Sequence, residues 1–180
     1  MRIYTRTGDD GTTGLLFGGR VRKDAPGPTA YGDVDEAQAM LGLARAETGE
    51  GSELDALLIR LERDLWVLMS ELATAGENRR KLKPGESLVT AEMVEALEPL
   101  IDDLTGRFDA PTEFVVPGQN RLSALLDVAR TVVRRAERQA LGVAVSDSHV
   151  VPYLNRLSDL LWTMARWQEG RYLPARERKA

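Results

Sequence analysis

The chain's 180 residues, 43% of them hydrophobic and 29% charged, suffice for one domain with a sizeable core and are too few to expect two. A net charge of −4 argues against a general binder of nucleic acid or anionic membrane, and the absence of cysteine excludes disulfides, thiolate catalysis and thiolate-held metals. No apolar run nears the roughly 18 residues that span a bilayer, and patterned sequence begins at residues 3–5, so a cytoplasmic protein without a leader is expected.

The first distinctive stretch runs from Thr5 to Lys23 and holds five glycines, four threonines and four cations in 19 residues. Glycine admits positive φ and close approach of backbone to a ligand. Consecutive peptide N–H groups in such a turn form a concave nest for phosphate oxygens, with Arg6, Arg20, Arg22 and Lys23 adding charge. It is not a Walker A loop, because no Gly-Lys-Ser/Thr follows and no apolar strand precedes it. A solvated N-terminal arm has a similar composition, and the two readings stand side by side at this point.

Behind the arm the pattern is helical. Val34, Ala37, Met40, Leu41 and Ala44 predict a first helix over about 30–47. Leu54, Leu58, Leu61, Leu65, Leu68 and Leu72 form a heptad-like seam for a second, with Ser52 and Asp55 as its capping box and Gly76 as its stop. Residues 77–88 carry turn formers and no period, which predicts a mobile loop. A weaker third helix carries Met93, Leu97, Leu100, Ile101 and Leu104, and Pro99 should kink it or mark a broken start. Phe114-Val115-Val116-Pro117-Gly118 reads as a short extended segment closed by a turn. A fourth helix is predicted over about 120–141 and a fifth from near Val151 to Gly170. With no convincing strands, the expectation is all-α: a five-helix bundle with an extended N-terminal nucleotide-binding loop. The single domain divides into a loop (1–28), the bundle (29–170) and a tail (171–180).

Two polar features interrupt the amphipathic pattern. Asp127, Arg130, Arg134, Glu137 and Arg138 share one face of the fourth helix, and Arg135 brings three guanidiniums within about one turn. Such crowding suits a facing polyanion, which guanidinium binds in a bidentate fashion; a solvated charged face is the plainer alternative. Asn155 and Asp159 flank the apolar stripe of the fifth helix and need partners if buried.

Taken together, five blocks resemble an ATP:cob(I)alamin adenosyltransferase of the PduO type. They are Ile3 to Thr13, Tyr31 to Glu36, Phe114 to Gly118, Ala129 to Arg138, and Tyr153 to Leu161, spread over nearly the whole chain. The resemblance implies transfer of the adenosyl group of ATP to reduced cob(I)alamin, with Mg²⁺ accompanying ATP. It also implies a homotrimer with active sites between subunits. Thr5, Arg6, Thr7, Gly8, Thr13, Gly14 and Lys23 are then expected at the nucleotide. Arg134, Arg135, Ala136, Glu137, Arg138 and Asn155 of the neighbouring subunit complete that site. Asp35 is expected to pair with Arg130 across the boundary, and Phe114 to lie at the lower face of the corrin ring. Phe114, Arg130 and Arg134 are the expected catalytic residues, with no protein ligand to a metal. An adenosylcobalamin-dependent mutase and a reductase are the implied partners, with no nucleic acid and no membrane.

The chemistry fits these residue types. Displacement at the ribose 5′-carbon by cobalt needs no side-chain acid or base, only alignment and stabilisation of the charge on the leaving triphosphate. The sequence departs from the family pattern at several places. Gln119 stands where a second glycine is usual, Asp127 where histidine is common, Ala37-Gln38 where Leu-Asn is usual, and Gly14 where a serine or other polar residue is common. Asp127, one turn before Arg130, is placed to draw that guanidinium from Asp35. Two other classes fit parts of the pattern: a nucleotide-sensing helical module that lost transfer, and a helical interaction protein whose arginine face meets an acidic partner.

Overall fold

The computed structural model describes residues 3–176. Four 20-residue helices dominate it: α1 (Pro26–Arg45), α2 (Glu53–Leu72), α5 (Arg121–Ala140) and α6 (Val150–Glu169). Their apolar stripes close a common core in which Leu41, Leu58, Leu61, Leu65, Leu68, Leu126, Leu154, Leu157 and Leu161 are fully buried. Each such leucine contributes about 1.5–3 kcal/mol by leaving water.

Ion pairs and hydrogen bonds between helices report their directions. Arg121 reaches Glu47 at one end of α5 and Arg135 reaches Asp33 and Glu36 nearer the other, so α5 runs antiparallel to α1. Asn120 Nδ2 donates to the Gln168 carbonyl and Asn155 Nδ2 to Glu137, so α6 runs antiparallel to α5. Arg45 and Asp55 join the end of α1 to the start of α2. These alternating directions put the C-terminal half of α5, the start of α6 and the start of α1 at one end of the bundle.

The helix boundaries follow local chemistry. Pro26 opens α1 four residues before the expected start, because its missing N–H falls where the helix offers no partner. Ser52 caps α2 by accepting from the Asp55 amide, but the return half of the box is absent. Asp55 instead accepts from the Gly51 amide and from Arg45 Nε. Asn120 and Ser123 form the complete capping box at α5. The expected third helix is two: α3 (Ala91–Glu95) and α4 (Glu98–Thr105), with Pro99 in the first turn of the latter.

Two expectations about irregular segments are corrected. Residues 77–88 are held in place by the buried carboxylate of Glu71. It accepts from Arg79 Nη2 (3.0 Å), the Val89 amide (2.8 Å) and Ser148 Oγ (2.7 Å), and Gly76–Lys81 winds into a 3₁₀ helix beside it. Short strands also occur. β1 (Thr12–Gly14) pairs antiparallel with β2 (Arg20–Arg22), and β3 (Val115–Val116) with β4 (Leu173–Pro174). Two or three residues each, they leave the architecture all-α.

Candidate active site

The N-terminal arm is an ordered hairpin. Phe17, Gly18 and Gly19 turn the chain with φ of 64°, 100° and 95°, values glycine accepts readily and phenylalanine does not. Asp10 accepts from both the amide and the hydroxyl of Thr12, which holds its carboxyl below the usual value. Arg20 donates to Thr12 Oγ1 and to the Thr7 carbonyl, closing the segment before β1 onto β2. A methyl group on Gly8 would lie 3.0 Å from Lys23 Nζ, so the lysine chain runs across the bare glycine. Thr5 and Thr7 share a hydroxyl–hydroxyl bond of 2.8 Å, and Arg6, at φ 61°, stacks over Tyr4. The hairpin is moored to α2, through the Leu16 amide on the Ala73 carbonyl, and Lys81 sits over the Phe17 ring.

A second feature is a cavity of about 820 Å³ between the β3 segment and the bundle. That is the volume of a pocket for a large ligand. Phe114 stands on its rim with 89% of its surface exposed, while its carbonyl accepts from the Ala175 amide at 2.7 Å. The ring is thus presented from a pinned backbone and is not a core aromatic. Asp127, Arg130, Trp162, Arg166 and Arg176 line the same cavity. Asp127 accepts from Arg130 Nε at 3.2 Å and from the buried Arg166 Nη2 at 2.5 Å. Burial pushes the Glu169 carboxyl, which also pairs with Arg166, above its ordinary value.

Comparison with known proteins identifies the family. The cobalamin adenosyltransferase family model matches residues 3–168. The chain belongs to the cobalamin adenosyltransferase family. It is 44% identical over 173 residues to a corrinoid adenosyltransferase of Citrobacter freundii, covering 93% of this chain and 95% of the relative. It is 43% identical over 172 residues to one of Mycobacterium tuberculosis, covering 92% and 87%. Among solved structures it resembles a variant PduO-type ATP:corrinoid adenosyltransferase from Lactobacillus reuteri complexed with cobalamin and ATP. That superposition has a TM-score of 0.86 at 28% identity and covers 98% of this chain and all of the other.

For this family member the structure distributes the sequence-predicted residues over three places. Thr5, Arg6, Thr7, Gly8, Thr13, Gly14 and Lys23 gather in the hairpin, Gly14 opposite Arg20 and Thr13 opposite Val21. Arg134 and Arg138 lie exposed on α5, where Arg138 Nη1 donates to the Arg134 carbonyl, and the Glu137–Asn155 bond lies beside them. Phe114 and Arg130 belong to the cavity. Two of the expected residues turn inward within the chain. Ala136 is fully buried, and its side chain packs in the core. Arg135 turns back to Asp33 and Glu36 of α1, which leaves Arg134 and Arg138 as the outward guanidiniums of that run. Within the chain Arg130 meets Asp127, while Asp35 is exposed on α1.

The sequence reading passed over Trp162, Arg166 and Arg176. A signal existed for Arg166: Trp162 and Arg166 sit one turn apart on a helix whose neighbours Leu161, Met164 and Ala165 are apolar. A charge embedded in such a stripe needs a buried partner. No comparable signal pointed to Arg176, because its position depends on a two-residue strand.

Proposed function

We infer that this chain transfers the 5′-deoxyadenosyl group of ATP to cob(I)alamin, forming adenosylcobalamin and releasing triphosphate. The observation that carries the reading is the rim-mounted, exposed Phe114 over a large cavity in a chain of this family. In the transfer, the cobalt electron pair forms the Co–C bond at the 5′-carbon. The C5′–O bond breaks, and its electrons leave with the triphosphate. The protein therefore aligns the two substrates in line and stabilises the oxygens that gain charge.

The hairpin suits the nucleotide. Its glycines leave room for phosphate, and Lys23, laid across Gly8, is a fixed cation beside them. Mg²⁺ is well served by phosphate oxygens and water, needing few protein ligands. Arg134 and Arg138 are suited to neutralise the leaving triphosphate. Because the hairpin is moored to α2 and these arginines face outward from α5, we assign the two halves of each site to neighbouring subunits of a homotrimer, with Asp35 of one facing Arg130 of the other. Phe114 fills the lower axial position of the corrin, which keeps a fifth ligand off cobalt and eases its reduction. A cytoplasmic setting, a reductase that supplies cob(I)alamin and an adenosylcobalamin-dependent mutase that takes the product complete the assignment.

The test is spectral. Chemically reduced cob(I)alamin, ATP and Mg²⁺ with the purified protein should yield the adenosylcobalamin spectrum with triphosphate released in equal amount. ATP bound without any product would point instead to a nucleotide-sensing module.

A further inference from the structure

The cavity wall includes a charged network that the transfer chemistry does not require. Arg166 is almost fully buried, with a side-chain exposure of 3%. Its Nη2 donates to Asp127 Oδ2 at 2.5 Å, its Nε lies 2.8 Å from Glu169 Oε2, and its guanidinium carbon is 5.8 Å from the Trp162 ring centre. Asp127, 6% exposed, passes the chain on through Oδ1 to Arg130 Nε at 3.2 Å. Two guanidiniums and two carboxylates make the network neutral, which is what allows it to be buried. Only its outer member, Arg130, is substantially exposed, with 29% of its side chain open at the cavity.

We propose that Asp127, clamped from below by Arg166, is a positioning residue that holds Arg130 by its Nε edge and presents its two amino groups at the cavity mouth. The Asp127 bond uses Nε alone and does not consume the fork with which a guanidinium binds a second carboxylate. Asp127 therefore does not compete with an outer partner for Arg130; it fixes the rotamer in which that partner is met. Histidine, common at this position in the family, would supply at most one acceptor and no negative charge. Here the carboxylate can answer both arginines because it has two oxygens. Glu113 and Arg176 are the other charged groups lining the cavity.

This inference rests on the reading that Arg130 serves corrinoid use, and the experiment separates the two. Asp127→Asn and Asp127→Glu are each made in the natural background and in Arg130→Ala, and KM is measured for cob(I)alamin and for ATP alongside Tm. Asn keeps the shape and loses the charge; Glu keeps the charge and displaces the Nε contact. In the natural background, corrinoid KM should rise about tenfold in both variants with ATP KM unchanged, and in the Arg130→Ala background by less than about twofold. An equal rise in both backgrounds would make Asp127 merely structural and overturn the proposal. So would a normal corrinoid KM in either variant that folds. Arg130→Ala alone reports on the underlying reading: normal corrinoid kinetics there would remove the role of Arg130 itself, whatever the Asp127 variants do.

Discussion

Replacing Phe114 by alanine separates stability from chemistry because of where the ring stands. With 89% of its surface exposed, only about a tenth of a ring worth roughly 200 Å² is removed from water by the fold, on the order of 20 Å². At about 25 cal/mol per Å² that is near 0.5 kcal/mol, a Tm loss of about 1–2 °C for a domain of this size. A core phenylalanine would cost about 3–5 kcal/mol. The backbone bond from Ala175 to the Phe114 carbonyl survives the substitution, so the segment keeps its course. The assay compares two starting states: cob(II)alamin with a reductant, and cobalamin already reduced to cob(I)alamin. Activity should collapse from the first, because water or the native ligand can return to cobalt, and a much larger share should persist from the second. ATP affinity should barely change. Equal loss from both states in a folded, ATP-binding variant, or a Tm loss near that of a core residue, would refute the reasoning.

Arg134→Ala should lower turnover by about 100- to 1,000-fold through lost charge stabilisation on the leaving triphosphate, while circular dichroism and Tm stay close to the natural protein, since the side chain is exposed; near-normal turnover would refute its role. Glu71→Ala should strip three donors of their buried acceptor and cost about 3–5 kcal/mol, read as a Tm drop of about 10 °C with faster proteolytic nicking within residues 76–88. Burial pushes the Asp64 carboxyl above its ordinary value although Tyr153 donates to it at 2.8 Å. The folded protein thus binds that proton more tightly than the unfolded chain, and the penalty on stability is full above the raised value and absent below the unfolded one. Asp64→Asn should accordingly raise Tm at neutral pH, and the gain should shrink as pH falls through that window; a gain constant with pH would contradict the assignment.

The long helices were legible because each presents a stripe at one period. The α2 leucines at 54, 58, 61, 65 and 68 are buried as the spacing required. Pro99 marked the break between α3 and α4 because it cannot continue a hydrogen-bond ladder. The order in residues 77–88 was not legible, since it comes from Glu71, a carboxylate inside the preceding helix whose burial depends on Ser148, 77 residues away. The cavity was half legible. Phe114 and Arg130 announce themselves in motifs, but β4, which pins Phe114, makes a two-residue pairing with a segment distant in sequence, too short to leave a periodic trace. Likewise, Arg135 and Ala136 sit in the same basic run as Arg134, and only the packing of α5 against α1 turns them inward.

The claim that each active site is built from two subunits has a direct test in subunit mixing. Lys23→Ala removes the hairpin's cation, Arg134→Ala removes the α5 guanidinium, and each variant alone should be nearly inactive. Co-expressed with different tags and purified as mixed assemblies, the two should recover adenosylcobalamin formation to roughly a third of the natural rate, because in each mixed trimer about one boundary in three carries both intact halves. Recovery near that level is the predicted result. Mixed assemblies that stay as inactive as the separate variants would contradict a shared site and place the hairpin and the α5 arginines in the service of one chain.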